Sequence, residues 1–395
     1  MMSQEGSFAN FTLTQRMPAI VQRVIDENDF PPSIVENLET LIQELPYGIV
    51  RSLQDQGPDL KAWARYLEPF LGKRWIDIPW LFAEIYFFRR ILEATHYFLP
   101  GSSQGVDPYE YQKRRGLETA MDSIRELSAR VNTWSASQLH GDGISRTSLI
   151  ALLYFDLWGN RADLSLWPIN PEESEQSRQE IHLEQTHILV DDTSLLADRV
   201  TNFHEVRIDF IVDNAGFELV SDLCLVDFLL ASKAAGMVYL HLKSHPTFVS
   251  DATIEDVHST LEVLAADSDG EVQSLAHRLQ DNIAQGRLRL CEALFWTAPL
   301  VFWEMPEELQ SELAQSRLIF IKGDANYRRC LGDRKWPFTT SFEDIVCYFP
   351  APLAALRTLK SELAAGLQLD QVERLNQEDP QWLTNGQWGV IQFVD

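Results

Sequence analysis

Three stretches of this sequence end an apolar run in residues equipped for chemistry. Val206-Arg207-Ile208-Asp209-Phe210-Ile211-Val212 leads into Asp213-Asn214-Ala215-Gly216. Val238-Tyr239-Leu240-His241-Leu242-Lys243 leads into Ser244-His245-Pro246-Thr247-Phe248-Val249-Ser250-Asp251. Leu318-Ile319-Phe320-Ile321-Lys322 leads into Gly323-Asp324-Ala325-Asn326-Tyr327-Arg328. Short apolar runs closed by turn residues predict buried strands. In an open α/β sheet, ligands bind just past the carboxyl ends of the strands. The carboxylate and amide oxygens of Asp213, Asn214 and Asp251 suit a hard divalent cation. Lys322 offers a compact charge to a phosphate, and Gly323 lets the backbone approach a ligand closely. Asp324 is placed to be a third acid near the metal or a general acid or base. Together the three ends predict a metal and phosphate site.

Each element also has a plainer reading. Asp251 precedes Ala252-Thr253-Ile254-Glu255 and equally suits a helix cap. Lys322-Gly323-Asp324 equally suits a β-turn with a capping Asp. Glu84, Arg89 and Arg90 stand in a very apolar stretch, where a charge is either paired internally or kept for a ligand. Asn160-Arg161-Ala162-Asp163 can be a cap and turn. The coincidence at three strand ends favours the site.

These side chains need a scaffold. Residues 1–165 predict helices. Pro32 to Ile42 spaces apolar residues helically, and Trp80 to Leu92 is too apolar for anything but a buried helix. Tyr109 to Val131 and Ser148 to Trp158 predict two more. The Glu-rich stretch from Pro171 to Glu184 predicts a surface connection or an exposed helix between layers. From His187 onward short β-rich runs alternate with helical stretches. The runs are Ile188 to Val190, Val206 to Val212, Met237 to Leu242, Leu290 to Phe295, Leu318 to Ile321, Ile345 to Phe349 and Trp388 to Phe393. Phe217 to Ser232 and Ile254 to Ala265 predict helices between them. This alternation predicts βαβ units and a mainly parallel sheet. One helix and one strand fit between Asp213 and Asp251, so the crossover rule brings both to one edge. The expected division is a helical domain over 1–165 and an α/β metal- and phosphate-binding domain over 166–395.

Composition narrows the function classes. Of 395 residues, 45% are hydrophobic, enough for a sizeable core. Lys and Arg total 33 against 58 Asp and Glu, a net charge of -25, which argues against a nucleic-acid partner. Cys224, Cys291, Cys330 and Cys347 are far apart with no CxxC pair. Cys224 and Cys347 are expected as reduced core residues, and the compartment as cytoplasmic. The first ten residues carry no signal-peptide pattern, and no stretch is apolar for long enough to predict a membrane span. Neither a GxxxxGK[ST] loop, a GxGxxG turn nor a GxSxG elbow appears.

The three strand ends do not stand alone. Trp80 to Arg90, Asp107-Pro108-Tyr109, Leu157-Trp158-Gly159-Asn160 with Asp163-Leu164-Ser165, and Leu356-Arg357-Thr358-Leu359-Lys360 join them in order along the chain. The ordered set resembles the damage-control phosphatases, a metal-dependent family long labelled only as a domain of unknown function. The large helical N-terminal part is similar to the branch that acts on sugar phosphates. A human relative in that branch has also been described as a protein-glutamate carboxyl methyltransferase. The resemblance implies a Rossmann-like three-layer α/β/α domain beside a helical domain. It implies one divalent metal ion (Mn2+, Ni2+, Co2+ or Mg2+) held by Asp213, Asn214 and Asp251. It implies Lys322 on the substrate phosphate, with Asp324 and Asn326 near the reacting group and Arg328 beside them. Arg357 and Lys360 match a family stretch. Ala325 stands where relatives often have a larger apolar residue.

The expected function is therefore metal-dependent hydrolysis of small phosphorylated metabolites, sugar phosphates such as fructose phosphates. Asp213, Asp324 and Lys322 are the expected catalytic residues. Glu84, Arg89, Asn160, Asp163, Asn326, Arg328 and Lys322 are the expected substrate contacts. Two rivals are an S-adenosylmethionine-dependent methyltransferase and a non-catalytic sugar-phosphate sensor. The first needs a Gly-rich turn and an acid for the ribose, which this sequence does not display.

Overall fold

A computed structural model describes residues 2–138, 144–159 and 186–395. They divide into two units. One comprises Met1–Arg115, Lys243–Asp251 and Leu294–Leu300; the other comprises Gly116–Leu242, Ala252–Ala293 and Val301–Asp395.

The first unit is helical. Its longest helix, Trp80–Ala94, buries every residue except Glu93. That burial follows from its sequence, which has aromatic and aliphatic side chains on all sides. Tyr86 stacks on Trp75 with ring centroids 4.6 Å apart, and Phe82 packs on Phe70 at 4.4 Å. Helices Met17–Glu27, Pro32–Glu44 and Leu60–Leu67 present narrower apolar faces to this unit's core. A π-helical turn, Thr12–Arg16, precedes Met17.

The second unit is built on a seven-stranded sheet. Its strands are β1 (Ile188–Asp191), β2 (Val206–Ile211), β3 (Ala235–Leu242), β4 (Leu288–Glu292), β5 (Leu318–Lys322), β6 (Leu353–Thr358) and β7 (Gly389–Val394). The spatial order is β1-β7-β6-β5-β2-β3-β4. All neighbours are parallel except β6 and β7. The mainly parallel α/β reading of the sequence holds. Ile208, Phe210, Val238, Leu240, Leu318 and Phe320 share one apolar core with residues of helices Met121–Gln138, Arg146–Trp158, Phe217–Ala231 and Gly270–Ala284. Among the described residues, no helix is long and apolar enough to cross a membrane.

Several local expectations change. The helix expected from Tyr109 to Val131 is two, Glu110–Thr119 and Met121–Gln138, with Gly116 and Thr119 weakening the turn between them. β4 stops at Glu292, and Leu294–Thr297 forms a 3-10 turn instead of extending the strand. Ile345 to Phe349 is not a strand. Ser341 caps a short helix, Phe342–Val346, whose first turn carries Glu343 and Asp344. The sixth strand lies beyond Pro350 and Pro352. Cys347 ends that helix and is exposed, whereas Cys224 is buried as expected. Helices Thr193–Val200, Gly270–Ala284 and Leu369–Glu378 were not anticipated. Helices Met121–Gln138 and Arg146–Trp158 belong to the sheet unit, because their apolar residues join its core. The expected boundary after residue 165 and the Pro171 to Glu184 connection lie outside the described residues.

Candidate active site at the strand ends

The sheet order explains why three strand ends matter. From β2 the chain proceeds to β3 on one side, while β5, on its other side, proceeds outward to β6. The crevice past the carboxyl ends of β2 and β5 is therefore a topological switch point, where ligands bind in open α/β sheets.

At the end of β2 stands Asp213, 5% exposed. Asn214 Nδ2 donates to Asp213 Oδ2 at 2.9 Å and to Glu218 Oε2 at 2.9 Å. Gly216 takes φ +76° and starts the helix that carries Glu218 in its first turn. At the end of β5, Gly323 takes φ +80° and starts the Asp324–Cys330 helix. A β-carbon at Gly323 would overlap the Asp213 carboxylate, so only glycine lets the two strand ends close together. Asn326 Nδ2 donates to the carbonyls of Val212 (3.1 Å) and Lys322 (2.9 Å), tying the two ends to each other.

Asp324 is a hub. Its Oδ1 accepts from Arg357 Nε at 2.7 Å, Ser361 Oγ at 3.0 Å and the Lys360 amide at 3.1 Å. None of these contacts uses Oδ2, and the side chain keeps 14% of its surface open. Burial pushes the Asp324 carboxyl up, but the guanidinium groups of Arg357 and Arg328 and the Lys360 amide outweigh it and hold it below the usual carboxylate range. Arg357 and Lys360 come from the end of β6, so three adjacent parallel strands contribute to this edge. Arg328 is buried and its Nε donates to Asp333 Oδ1 at 3.2 Å.

Lys322 does not reach outward as expected. It is 1% exposed, and its ammonium lies 2.7 Å from Asp156 Oδ1, 2.7 Å from the Asp156 carbonyl and 2.9 Å from Asp222 Oδ1. The ammonium donates a hydrogen bond to the Asp156 carbonyl and is ion-paired with both carboxylates, so its charge is engaged internally. Burial alone would lower the Lys322 pKa, but Asp156 and Asp222 raise it, so it stays charged. Burial pushes the Asp222 carboxyl well up; Lys322 opposes that shift and Asp156 reinforces it.

The helical unit holds the remaining described residues. Arg89 makes paired contacts with Asp55 (2.6 and 2.8 Å) and with Asp59 (2.7 and 2.9 Å), all buried. The internal-pairing reading therefore applies to Arg89. It applies to Arg90 too, which meets Glu44 at 2.9 Å and Glu93 at 2.8 Å. Glu84 is buried, with Arg16 Nη1 at 4.0 Å from its Oε1. Asp251 is 1% exposed, with Lys243 Nζ 3.2 Å from its Oδ2. It caps no helix, because Thr253 takes that role in a capping box with Asp256. Asn160 and Asp163 lie outside the described residues.

Asp213 and Asn214 past the end of β2 carry a carboxylate and an amide, and Asp251 in the helical unit carries a second carboxylate, oxygen donors of the kind that suit a hard divalent ion. The bare α-carbon of Gly323 leaves the Asp213 carboxylate in place at its strand end. Among the described residues, no group of three or more His, Cys, Asp or Glu side chains is placed to hold a metal ion. The sequence reading gave no role to Glu218, Asp156, Asp222 or Ser361. Glu218 was four residues from Asn214 on a predicted helix, and Asp156 and Asp222 each lie within a largely apolar helix, a pattern that signals internal pairing.

Comparison with known proteins adds to this geometry. Residues 12–375 match the family described as the Damage-control phosphatase ARMT1-like domain. Damage-control phosphatase ARMT1 of Mus musculus is 34% identical, over 98% of this chain and 96% of its own length. The Danio rerio protein of the same name is 33% identical over 98% and 95%, and the Homo sapiens protein 32% over 98% and 96%. A crystal structure of a DUF89 family protein from Pyrococcus horikoshii aligns with a TM-score of 0.46 and 14% identity, covering 90% of this chain and 96% of that one.

Proposed function

The chain belongs to the ARMT1-like damage-control phosphatase family, and from that premise we propose that it is a metal-dependent phosphomonoester hydrolase acting on small sugar phosphates. The observation that carries the reading is the pair of acids, Asp213 and Asp324, flanking the switch point with Gly323 between them. Asp213, Asn214 and Asp251 are the residues that would hold a divalent ion, which would supply Lewis-acid stabilisation to a phosphoryl group.

The chain's own residues do the rest. Asn214 and Gly323 hold the Asp213 carboxylate at its strand end. The depressed pKa of Asp324 keeps it ionised at neutral pH, which suits a base that orients the attacking water and not a donor to the leaving alkoxide. Its Oδ2 is the oxygen left for that water. Lys360, exposed at the end of β6, supplies the charge that a phosphate needs by contact, while Lys322 acts by holding Asp156 and Asp222 beneath the strand ends. Asn326 and Arg328 keep the β5 end in shape. Glu84, Asn160 and Asp163 are the residues we assign to the sugar hydroxyls, since Arg89 is fully engaged with Asp55 and Asp59. Positioning and electrostatics of this kind carry most of phosphoryl transfer.

The test is release of inorganic phosphate by the purified chain from fructose and glucose phosphates, a nucleotide and a phosphopeptide, with Mn2+, Ni2+, Co2+ or Mg2+ and with a chelator. Chelator-sensitive turnover of the sugar phosphates alone is the expected result. Methyl transfer from S-adenosylmethionine without phosphate release, or binding without turnover, overturns it.

A further inference from the structure

The segment that follows β3, Lys243–Asp251, contains two consecutive left-handed residues. Phe248 has φ +49° and Val249 has φ +71°. Neither is glycine, and a β-branched side chain is a genuine outlier there. Such backbone persists only where its surroundings impose it, and it concentrates at functional sites.

The surroundings are specific, and all belong to the helical unit. On one side the Phe248 ring packs on Phe88, with centroids 5.0 Å apart. Phe88 is fixed on the buried Trp80–Ala94 helix. On the other side His245 meets the edge of Phe98 at 5.8 Å, with its Nε2 3.7 Å from Asp59 Oδ2. That same oxygen accepts from Arg89 Nε at 2.7 Å. His245 Nδ1 lies 3.1 Å from the Pro246 carbonyl, which settles the ring on its own backbone. Between the two anchors the turn closes on Asp251. Its amide donates to the Thr247 carbonyl at 3.3 Å, and Lys243 Nζ lies 3.2 Å from its Oδ2. The strained pair is thus anchored at Phe248 and, through His245, three residues earlier, and Ser250 alone separates it from the buried Asp251 carboxylate.

We propose that Phe248 and Val249 are positioning residues for the divalent cation. Their left-handed turn, clamped by Phe88 and by the Arg89–Asp59–His245 cluster, fixes the direction in which Asp251 presents its carboxylate. The inference rests on the reading of Asp251 as a metal ligand. It also gives Arg89 a place in the machinery, as the residue that holds Asp59 beside His245.

Val249→Gly relaxes the turn, because glycine adopts positive φ freely. Val249→Ala loses the two methyl groups but keeps the β-carbon that makes the turn strained. The measurements on the full chain are Mn2+ binding by titration calorimetry and the Tm without metal. Val249→Gly should weaken Mn2+ binding by about 10- to 100-fold, the range for lost support of a ligand, with the metal-free Tm unchanged or higher. Val249→Ala should bind Mn2+ like the parent. Asp251→Asn should lose Mn2+ binding. Unchanged Mn2+ affinity in Val249→Gly, with binding lost in Asp251→Asn, overturns the positioning role and leaves the metal reading standing. Unchanged affinity in Asp251→Asn overturns both.

Discussion

Gly323 and Asp213 are in such close register across β5 and β2 that a β-carbon on the first would occupy the carboxylate of the second. Gly323→Ala must therefore move Asp213, and it also places a side chain at φ +80°. A cost of about 1–3 kcal/mol in stability is expected from the backbone alone, with phosphate release falling far more than the fold does. Denaturant unfolding beside steady-state kinetics checks this. An active, equally stable Gly323→Ala variant would falsify the apposition.

Loss of a proposed ligand should act on chemistry and spare the fold. Asp213→Ala should lower kcat/KM by at least about a hundred-fold, and a strong chelator should do the same to the parent chain. Far-UV circular dichroism should match the parent. Chelator-resistant turnover would remove the metal from the mechanism.

Lys322 and Lys360 should separate cleanly. Lys322→Met strands two buried carboxylates, a loss of about 3–5 kcal/mol when one partner of a buried pair is removed. Lys360→Ala should leave stability alone and raise KM for sugar phosphates. The reverse pattern, a stable Lys322→Met with raised KM, would restore the direct phosphate contact that the sequence suggested.

Acid stability should follow the buried Asp59. Burial raises its carboxyl, but the nearby His245 ring and the hydrogen-bonded Arg89 guanidinium outweigh that and bring it below its ordinary value. The unfolded chain, with a carboxyl near about 3.9, then takes up the proton first on acidification. The stability this pairing contributes is present above about pH 4 and is lost as the pH falls through the folded value. Asp324 has the same sign. Asp222 has the opposite sign, since its folded value is raised and its contribution declines as pH climbs from about 4 towards that value. Urea unfolding between about pH 3 and about pH 8 should show a smaller acid loss in Asp59→Asn than in the parent. Identical profiles would refute the assignment.

How far the sequence reached depends on the kind of signal. β2, β3 and β5 were legible because a largely buried run is mostly apolar and ends in glycine or polar residues, even where Arg207 and Asp209 interrupt it. The Trp80–Ala94 helix was legible for the same reason. Ile345 to Phe349 misled because a short apolar run has no period of its own, and the Ser341 cap decided for helix. The order of strands, with β5 beside β2 and β7 reversed, is a long-range property that no local pattern carries. Residue types at the strand ends were readable, but directions were not. Nothing in Leu318 to Lys322 says that the ammonium turns inward, because its partners, Asp156 and Asp222, sit on two helices remote in sequence.

Thr253 and Asp256 secure the start of the Ile254–Ala265 helix, and just ahead of it the Ala252 amide donates to the Asp213 carbonyl at 2.8 Å. Ala252 is fully buried. Its proton can exchange with deuterated solvent only when the end of β2 parts from the chain that follows Asp251. Exchange at this one amide therefore clocks local opening, from the small excursions of a loop to the full unfolding of the core. A peptide spanning Ala252 is a native sensor of that opening, and it needs neither substrate nor an attached probe.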